Sequence, residues 1–246
     1  MKNLFTFIVL LLASFNLIAN SLYTVDNPTA AMLGRGEASV YSKLYQNDGI
    51  SIGADVGLTN FFQMGLAFGA EHVLGNQNPK WSRVDYKVKL RLINETQSRP
   101  ALAIGVDTQG HGTYHKDAKR YEIKSKGAYA VLSKNYELFG LIGFDFGSNY
   151  SFEDNQDDAH HFDVFLGFYK TASDYITLYA DFACGLNDLD KDYEYGGLRR
   201  GYLNTAIQFN INEQFSIKLL LHDLLRNRKQ TELFDRSLLL DYRWFF

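Results

Sequence analysis

Polar and apolar residues alternate along much of this chain, and residues 84–93 show the pattern most clearly. Their sequence, VDYKVKLRLI, has an apolar residue at every even position and a charged residue between them, at Asp85, Lys87, Lys89 and Arg91. Successive side chains of a β-strand point to opposite faces, whereas a helix would distribute these charges around its axis. The pattern therefore predicts a strand with one apolar face and one charged face.

The same period of two recurs in twelve segments of the chain. The connections between them alternate between short turns and longer polar loops, except that the first connection on the long-loop side, at 46–48, is also short. Barrels of the outer membrane are built in this way. We predict an all-β fold, a single antiparallel transmembrane β-barrel of about 12 strands, with a soluble secreted β-sandwich as the alternative. The predicted strands are 35–45, 49–58, 62–74, 82–93, 100–107, 121–133, 138–147, 161–170, 175–185, 200–211, 215–225 and 235–246.

The composition excludes several other classes of protein. The chain has 25 Lys and Arg residues against 28 Asp and Glu residues, whereas a nucleic-acid-binding protein carries a basic excess. Its one cysteine, Cys184, cannot form an internal disulfide or a multi-cysteine metal site. The 19 Phe and 16 Tyr residues, beside only 3 Pro, favour strands.

Residues 1–21 have the features of a secretory signal peptide. A lysine at position 2 precedes the apolar run LFTFIVLLLASF, and small residues follow at Ala19 and Ser21. The run is short for a spanning helix, so a retained signal anchor is only the alternative. Because no cysteine stands near the cleavage region, a lipoprotein is excluded. We predict a barrel domain at 22–246, located in the cell outer membrane of a Gram-negative type of envelope.

The last ten residues, SLLLDYRWFF, form an alternating segment that ends on an aromatic residue. The pattern looks like the C-terminal signal that the outer-membrane assembly machinery recognises, with Leu240, Tyr242, Trp244 and Phe246 on one face. A last strand of this kind must pair with the first, because lipid does not tolerate an open sheet edge.

Charged residues of both signs fall on the inward face of the predicted strands. Twelve strands imply a narrow lumen, between the filled eight-stranded barrels and the open porins. The charges would either pair across the interior, or form a selective polar path with a constriction at Lys87, Lys89 and Arg91. Mixed signs argue against strong ion selectivity. The inward charged residues are Asp55, Glu71, Asp85, Lys87, Lys89, Arg91, Asp107, Asp145, Asp163, Asp181, Lys218, Asp241 and Arg243.

One long loop carries acidic residues at alternate positions, namely Asp188, Asp190, Asp192 and Glu194. Carboxylate oxygens suit calcium, although the spacing departs from that of a helix–loop–helix calcium site. Solvated loops are the alternative, so we expect no cofactor other than a possible structural Ca²⁺. Outer loops of this charge would also meet lipopolysaccharide phosphates and outer-membrane lipid.

The six histidines and the serines show no catalytic arrangement. His111 and His115 are four residues apart, but in a glycine-containing loop and not on the helix that such a metal pair requires. No Gly-x-Ser-x-Gly motif is present. We predict that the protein is not an enzyme and has no catalytic residues.

Four short stretches resemble the YjbH-like family of outer-membrane barrels. They are RPALAIGVDTQGHG at 99–112, YAVLSK at 129–134, GLTNFFQMG at 57–65 and GLND at 185–188. The resemblance implies a role in exopolysaccharide production or export, together with exopolysaccharide export proteins as partners. Larger members are lipoproteins with additional domains, whereas this chain has neither feature.

The sequence therefore leaves three functions open. We expect the export or anchoring of exopolysaccharide or other envelope material. The alternative is a general porin-like channel for small solutes, and a further one is a rim enzyme of the lipase or protease type.

Overall fold

The computed structural model describes residues 21–74, 78–153, 161–189, 194–229 and 233–246. Among these residues, no helix has the length and apolarity needed to span a bilayer. Twelve of the strands close a barrel, and two more, β6 and β7, form a separate hairpin. The strands are β1 (Glu37–Tyr45), β2 (Gly49–Thr59), β3 (Phe62–Glu71), β4 (Lys80–Ile93), β5 (Ala101–Asp107), β6 (His111–His115), β7 (Arg120–Ile123), β8 (Gly127–Glu137), β9 (Leu141–Tyr150), β10 (Phe162–Ser173), β11 (Ile176–Ala183), β12 (Tyr202–Asn210), β13 (Phe215–His222) and β14 (Asp235–Phe245).

Every neighbouring pair of barrel strands is antiparallel, and β1 pairs with β14 to close the sheet. Trp244 lies opposite Ala38 in this closing pair, and the amide of Phe246 donates to the carbonyl of Gly36 at 2.9 Å. The prediction of a twelve-stranded antiparallel barrel is confirmed. Since residues 1–20 lie outside the described residues, the signal peptide stays a prediction.

The start of one predicted strand, 121–133, is wrong. Residues 120–123 belong to the β6–β7 hairpin, and the barrel strand begins only at Gly127. Gly127 has a φ of 62°, and a Cβ at this position would lie 2.1 Å from the carbonyl oxygen of Tyr150. The backbone thus turns sharply between the hairpin and β8, at a residue that only glycine suits.

The apolar face of the strands lies on the outside of the barrel. On β4 the side chains of Val84 and Tyr86 are exposed, whereas those of Asp85 and Lys87 are buried. A sandwich would bury its apolar face between two sheets. A closed barrel with an apolar exterior and a polar interior is instead the arrangement that a lipid environment requires.

We call the two rims of the barrel the turn end, where 59–62 lies, and the loop end, where the β6–β7 hairpin lies. Residues 21–34 enter the lumen from the turn end, where the amide of Arg35 donates to Oδ1 of Asn60 at 3.0 Å. They fold as a hairpin, with a bridge between Tyr23 and Pro28. We refer to residues 21–34 as the plug.

Because the apolar face of the strands lies in lipid, we predict that a charged residue destabilises the barrel by different amounts at two positions on β10. Leu166→Arg, near the middle of the strand, should lower the free energy of unfolding by about 2–4 kcal/mol, because an arginine there must lie in hydrocarbon. Phe162→Arg, on the same face at the strand end, should cost about 0–1 kcal/mol. Reversible unfolding from lipid vesicles measures both values. Equal costs would mean that this face does not lie in lipid.

Candidate functional site: the plugged lumen and its outer cover

The apex of the plug is held by a carboxylate of the barrel wall. Oδ2 of Asp181, on β11, accepts hydrogen bonds from the amides of Val25, Asp26 and Asn27 at 3.0, 2.8 and 3.0 Å. The hydroxyl of Thr24 donates to the same oxygen at 3.0 Å. Hydrogen bonds to an ionised group are stronger than those between neutral groups. Asp181 is therefore the main anchor of the apex.

Two lysines of the wall hold the plug through its carbonyl groups. Nζ of Lys89 donates to the carbonyls of Leu22 and Ala31, both at 3.2 Å. Nζ of Lys218 donates to the carbonyl of Thr24 at 3.2 Å. These two charges are thus satisfied by the plug backbone and not by acids of the opposite wall.

Side-chain acceptors on the wall hold the returning half of the plug. The amide of Ala30 donates to Oγ of Ser133 at 2.8 Å, and the amide of Leu33 donates to Oε1 of Gln63 at 2.9 Å. Ala30 also belongs to a buried apolar cluster with Val131 and Phe165. The plug is therefore held along its length by polar contacts, with additional apolar contacts at Val25 and Ala30.

The predicted inward charges lie on the lumen side of their strands. Ten of them are buried, and Arg91, Asp241 and Arg243 are half-buried. Within the described residues, the one ion pair between two of them joins Asp241 and Arg243, two positions apart on β14. The buried ten are Asp55, Glu71, Asp85, Lys87, Lys89, Asp107, Asp145, Asp163, Asp181 and Lys218.

The three residues of the predicted constriction, Lys87, Lys89 and Arg91, contact different partners. Lys87 donates to the hydroxyl of Tyr41 at 2.7 Å, whereas Lys89 binds the plug. Arg91 lies at the turn end, where it donates to the carbonyl of Asn60 at 2.9 Å. The three side chains therefore do not converge on one narrow passage.

A cavity of about 120 Å³ remains between the plug and the wall. Both charge signs line it, including Lys43, Asp107, Lys126 and Arg243. The hydroxyl of Tyr23, on the plug, donates to Oδ2 of Asp107 at 2.6 Å. A space of this size, with charged side chains in its lining, has room for several water molecules.

A layer of buried ion pairs covers the loop end, and we call this layer, with the loops that it joins, the outer cover. Nη1 of Arg120, on β7, lies 3.0 Å from Oδ1 of Asp188. Nη1 of Arg228 lies 2.6 Å from Asp235 and 2.7 Å from Glu122. These pairs fasten the β6–β7 hairpin to the other loops above the lumen. The sequence pattern gave no sign of this layer, because Arg120 is 68 residues from Asp188 and Arg228 is 106 residues from Glu122 in the chain.

Of the four proposed calcium residues, the structure describes Asp188 and Glu194. Asp188 is buried, and its carboxylate contacts Arg120 and the hydroxyl of Tyr202, so its oxygens are already engaged. Glu194 is exposed, and Asp190 and Asp192 lie outside the described residues. A calcium site here stays a prediction, and it would have to compete with Arg120 for Asp188.

Glu153 is a buried acid in the outer cover. Its Oε1 lies 3.1 Å from Nη2 of Arg83, and its Oε2 accepts from the amide of Tyr121 at 3.0 Å. Burial raises the pKa of Glu153 from 4.5 to about 7, and Arg83 only partly opposes this shift. Glu153 therefore changes its charge near neutral pH at a contact between two loops.

Comparison with known proteins identifies only the fold. No protein-family model and no curated protein matches the chain. The structure is similar to that of NanC porin, with a TM-score of 0.50 and 11% identity over 85% of this chain and 99% of that one. It is also similar to KdgM porin, with a TM-score of 0.50 and 7% identity over 84% and 98%. The chain has a porin-type barrel fold.

Because Asp181 accepts the hydrogen bonds that hold the apex of the plug, we predict that Asp181→Asn weakens the attachment of the apex to the wall. Asparagine has no charge and would turn an amide nitrogen toward groups that are themselves donors. Because a hydrogen bond to a charged group contributes about 1.5–3 kcal/mol, amide exchange at residues 24–27 should rise roughly tenfold or more.

Hydrogen exchange with mass spectrometry measures this effect. Asp163→Asn is the matched control, since Asp163 is also a buried inward acid but accepts from the amide of Leu186, outside the plug, at 3.0 Å. Equal exchange of the apex in both variants would contradict the assignment of Asp181 as its anchor.

The raised pKa of Glu153 predicts a pH dependence of the outer cover. Between pH 4.5 and about 7 the folded protein retains a proton that the unfolded chain loses, so stability falls as pH rises through this window. Protection of the β6–β7 hairpin, corrected for intrinsic exchange, should fall several-fold from pH 5 to pH 8. Glu153→Gln should abolish this trend, whereas Glu95→Gln, which changes an acid paired with Lys134 at the turn end, should preserve it. Protection that rises with pH would contradict the prediction.

Proposed function

We propose that the protein is an outer-membrane, porin-like channel for small polar solutes, and that the plug closes it in the state described here. The observation that carries this proposal is the way in which the wall holds the plug. Asp181, Lys89 and Lys218 bind main-chain groups of the plug, and water can replace each of those partners. A lumen of this kind can therefore exchange its plug for solvent.

The barrel does not depend on the plug for its own sheet. Each of the twelve strands pairs with two other strands, and the β1–β14 pair closes the cylinder without residues 21–34. Withdrawal of the plug thus breaks no pairing in the barrel. The cost of withdrawing the plug is the loss of its polar contacts and of the apolar contacts that Val25 and Ala30 make.

The charges of the wall favour a weakly selective pathway. Once the plug has left, Lys87, Lys89 and Lys218 would face the same lumen as Asp107 and Asp181. Mixed charges attract neither anions nor cations strongly, but they hydrate well and offer hydrogen bonds to polar molecules. Small polar solutes fit this interior better than apolar ones do.

Three further expectations remain predictions. Export or anchoring of exopolysaccharide, with export proteins as partners, rests on the YjbH-like resemblance. Contact with lipopolysaccharide rests on the charge of the outer loops, and recognition by the assembly machinery rests on Leu240, Tyr242, Trp244 and Phe246. The rim enzyme is the least supported alternative, because the described fold resembles porins.

A removable cross-link between plug and wall tests the channel proposal. In a Cys184→Ser background, Ala30→Cys and Ser133→Cys would join the plug to β8, where the amide of Ala30 now meets Oγ of Ser133 at 2.8 Å. We expect no conductance in a planar bilayer while the disulfide is intact, and openings after reduction. A chain lacking 22–33 should conduct steadily.

Two controls make the result decisive. The single variant Ala30→Cys in the same background should not respond to the reductant, and heat-modifiable gel mobility should show that every variant is folded. If the folded chain that lacks 22–33 is silent, the channel proposal is wrong.

A further inference from the structure

Three separate parts of the chain meet at a pair of buried histidines below the outer cover. Asp26 lies at the apex of the plug, His111 begins β6, and His222 ends β13. Nδ1 of His222 lies 2.7 Å from Oδ2 of Asp26, and the two imidazole rings stack with their centroids 3.8 Å apart. Neither ring has appreciable contact with solvent.

Each of these imidazoles has one nitrogen atom without a hydrogen-bond partner. The atoms are Nδ1 of His111 and Nε2 of His222, and both are buried. Buried polar atoms in folded proteins nearly always have a partner. The free Nδ1 of His111, on a ring that stacks on His222, points to a ligand that accepts electron pairs.

The three residues have the composition of a metal site. Asp26, His111 and His222 each offer one ligand atom, and these atoms lie within 4.8 Å of one another. Imidazole nitrogen with one carboxylate oxygen suits Zn²⁺ and similar ions, whereas Ca²⁺ and Mg²⁺ prefer oxygen ligands alone. A carboxylate oxygen of Asp235 lies 3.1 Å from Nε2 of His111, in the position from which carboxylates orient metal-binding histidines.

We propose that Asp26, His111 and His222 bind a divalent transition-metal ion, for which Zn²⁺ is the best match. Ligand atoms around tetrahedral Zn²⁺ lie about 3.3 Å apart, so the stacked rings must turn slightly as the ion enters. The ion would bind Nδ1 of His111 and would replace the proton that now joins Nδ1 of His222 to Asp26, and this proton would pass to solvent. Lys43 lines the same cavity as Asp26 and His111, so its positive charge should limit the affinity to the micromolar range.

Metal binding would tie the plug to both the wall and the outer hairpin. Asp26 belongs to the plug, His222 to the barrel and His111 to the hairpin, so one ion would join all three. Bound metal should therefore protect the plug from hydrogen exchange. Bound metal would also hold the channel closed, an effect that rests on the function proposed above.

Titration calorimetry of the refolded full chain with ZnCl₂ tests the site. We expect one Zn²⁺ per chain with micromolar affinity, no heat from Mg²⁺ at the same concentration, and slower exchange at residues 22–33 in the presence of Zn²⁺. His111→Ala and Asp26→Asn should each weaken binding at least tenfold. His161→Ala, a histidine outside the group, should leave binding unchanged.

The outcomes separate this proposal from the channel proposal, because neither readout measures conductance. Asp26→Asn changes only a partly exposed side chain at the apex, so it remains informative if His111→Ala does not fold. The metal site is overturned if Zn²⁺ does not bind. It is also overturned if Asp26→Asn and a folded His111→Ala variant both bind as tightly as the native chain, since the ion would then lie elsewhere.

Discussion

The need to pair every backbone polar group in lipid governs this structure. Hydrocarbon offers no partner to an exposed amide or carbonyl, so a sheet can span a membrane only if its edges meet. The β1–β14 pairing fulfils this requirement, with Trp244 opposite Ala38 and Phe246 bonded to Gly36. Closure also fixes the two faces of every strand, because the outer face must then be apolar and the inner face is free to be polar.

A closed barrel with a polar interior must fill that interior with water, side chains or another segment of the chain. Here residues 21–34 fill much of it, and wall charges such as Asp181 and Lys218 bind the backbone of that segment. The outer cover adds a second layer, in which Arg120 and Arg228 join loops that are distant in the sequence. The interior is therefore organised by charges that hold neutral main-chain groups within the lumen and by ion pairs at its outer rim.

The barrel could be predicted from the sequence because its pattern is local. Alternation along residues such as 84–93 reports the two faces of a strand directly, and the number of barrel strands and the approximate position of each follow from it. The plug could not be predicted, since residues 21–34 do not alternate and are held largely through their backbone groups, which every residue shares. The β6–β7 hairpin could not be predicted, because the alternation of residues 121–133 continues through Gly127, where the backbone turns. His111 and His222 meet only through closure of the barrel and the folding of a loop, so no spacing in the sequence relates them.

The plug is continuous with β1 through Arg35 and Gly36, and this short covalent connection limits how far it can withdraw. A released plug would stay beside the mouth of its own barrel, at an effective concentration in the millimolar range typical of short tethers. Closing would then be a first-order event whose rate does not depend on the amount of protein. A solute or peptide that competes for the same wall groups would need a comparable concentration to hold the lumen open.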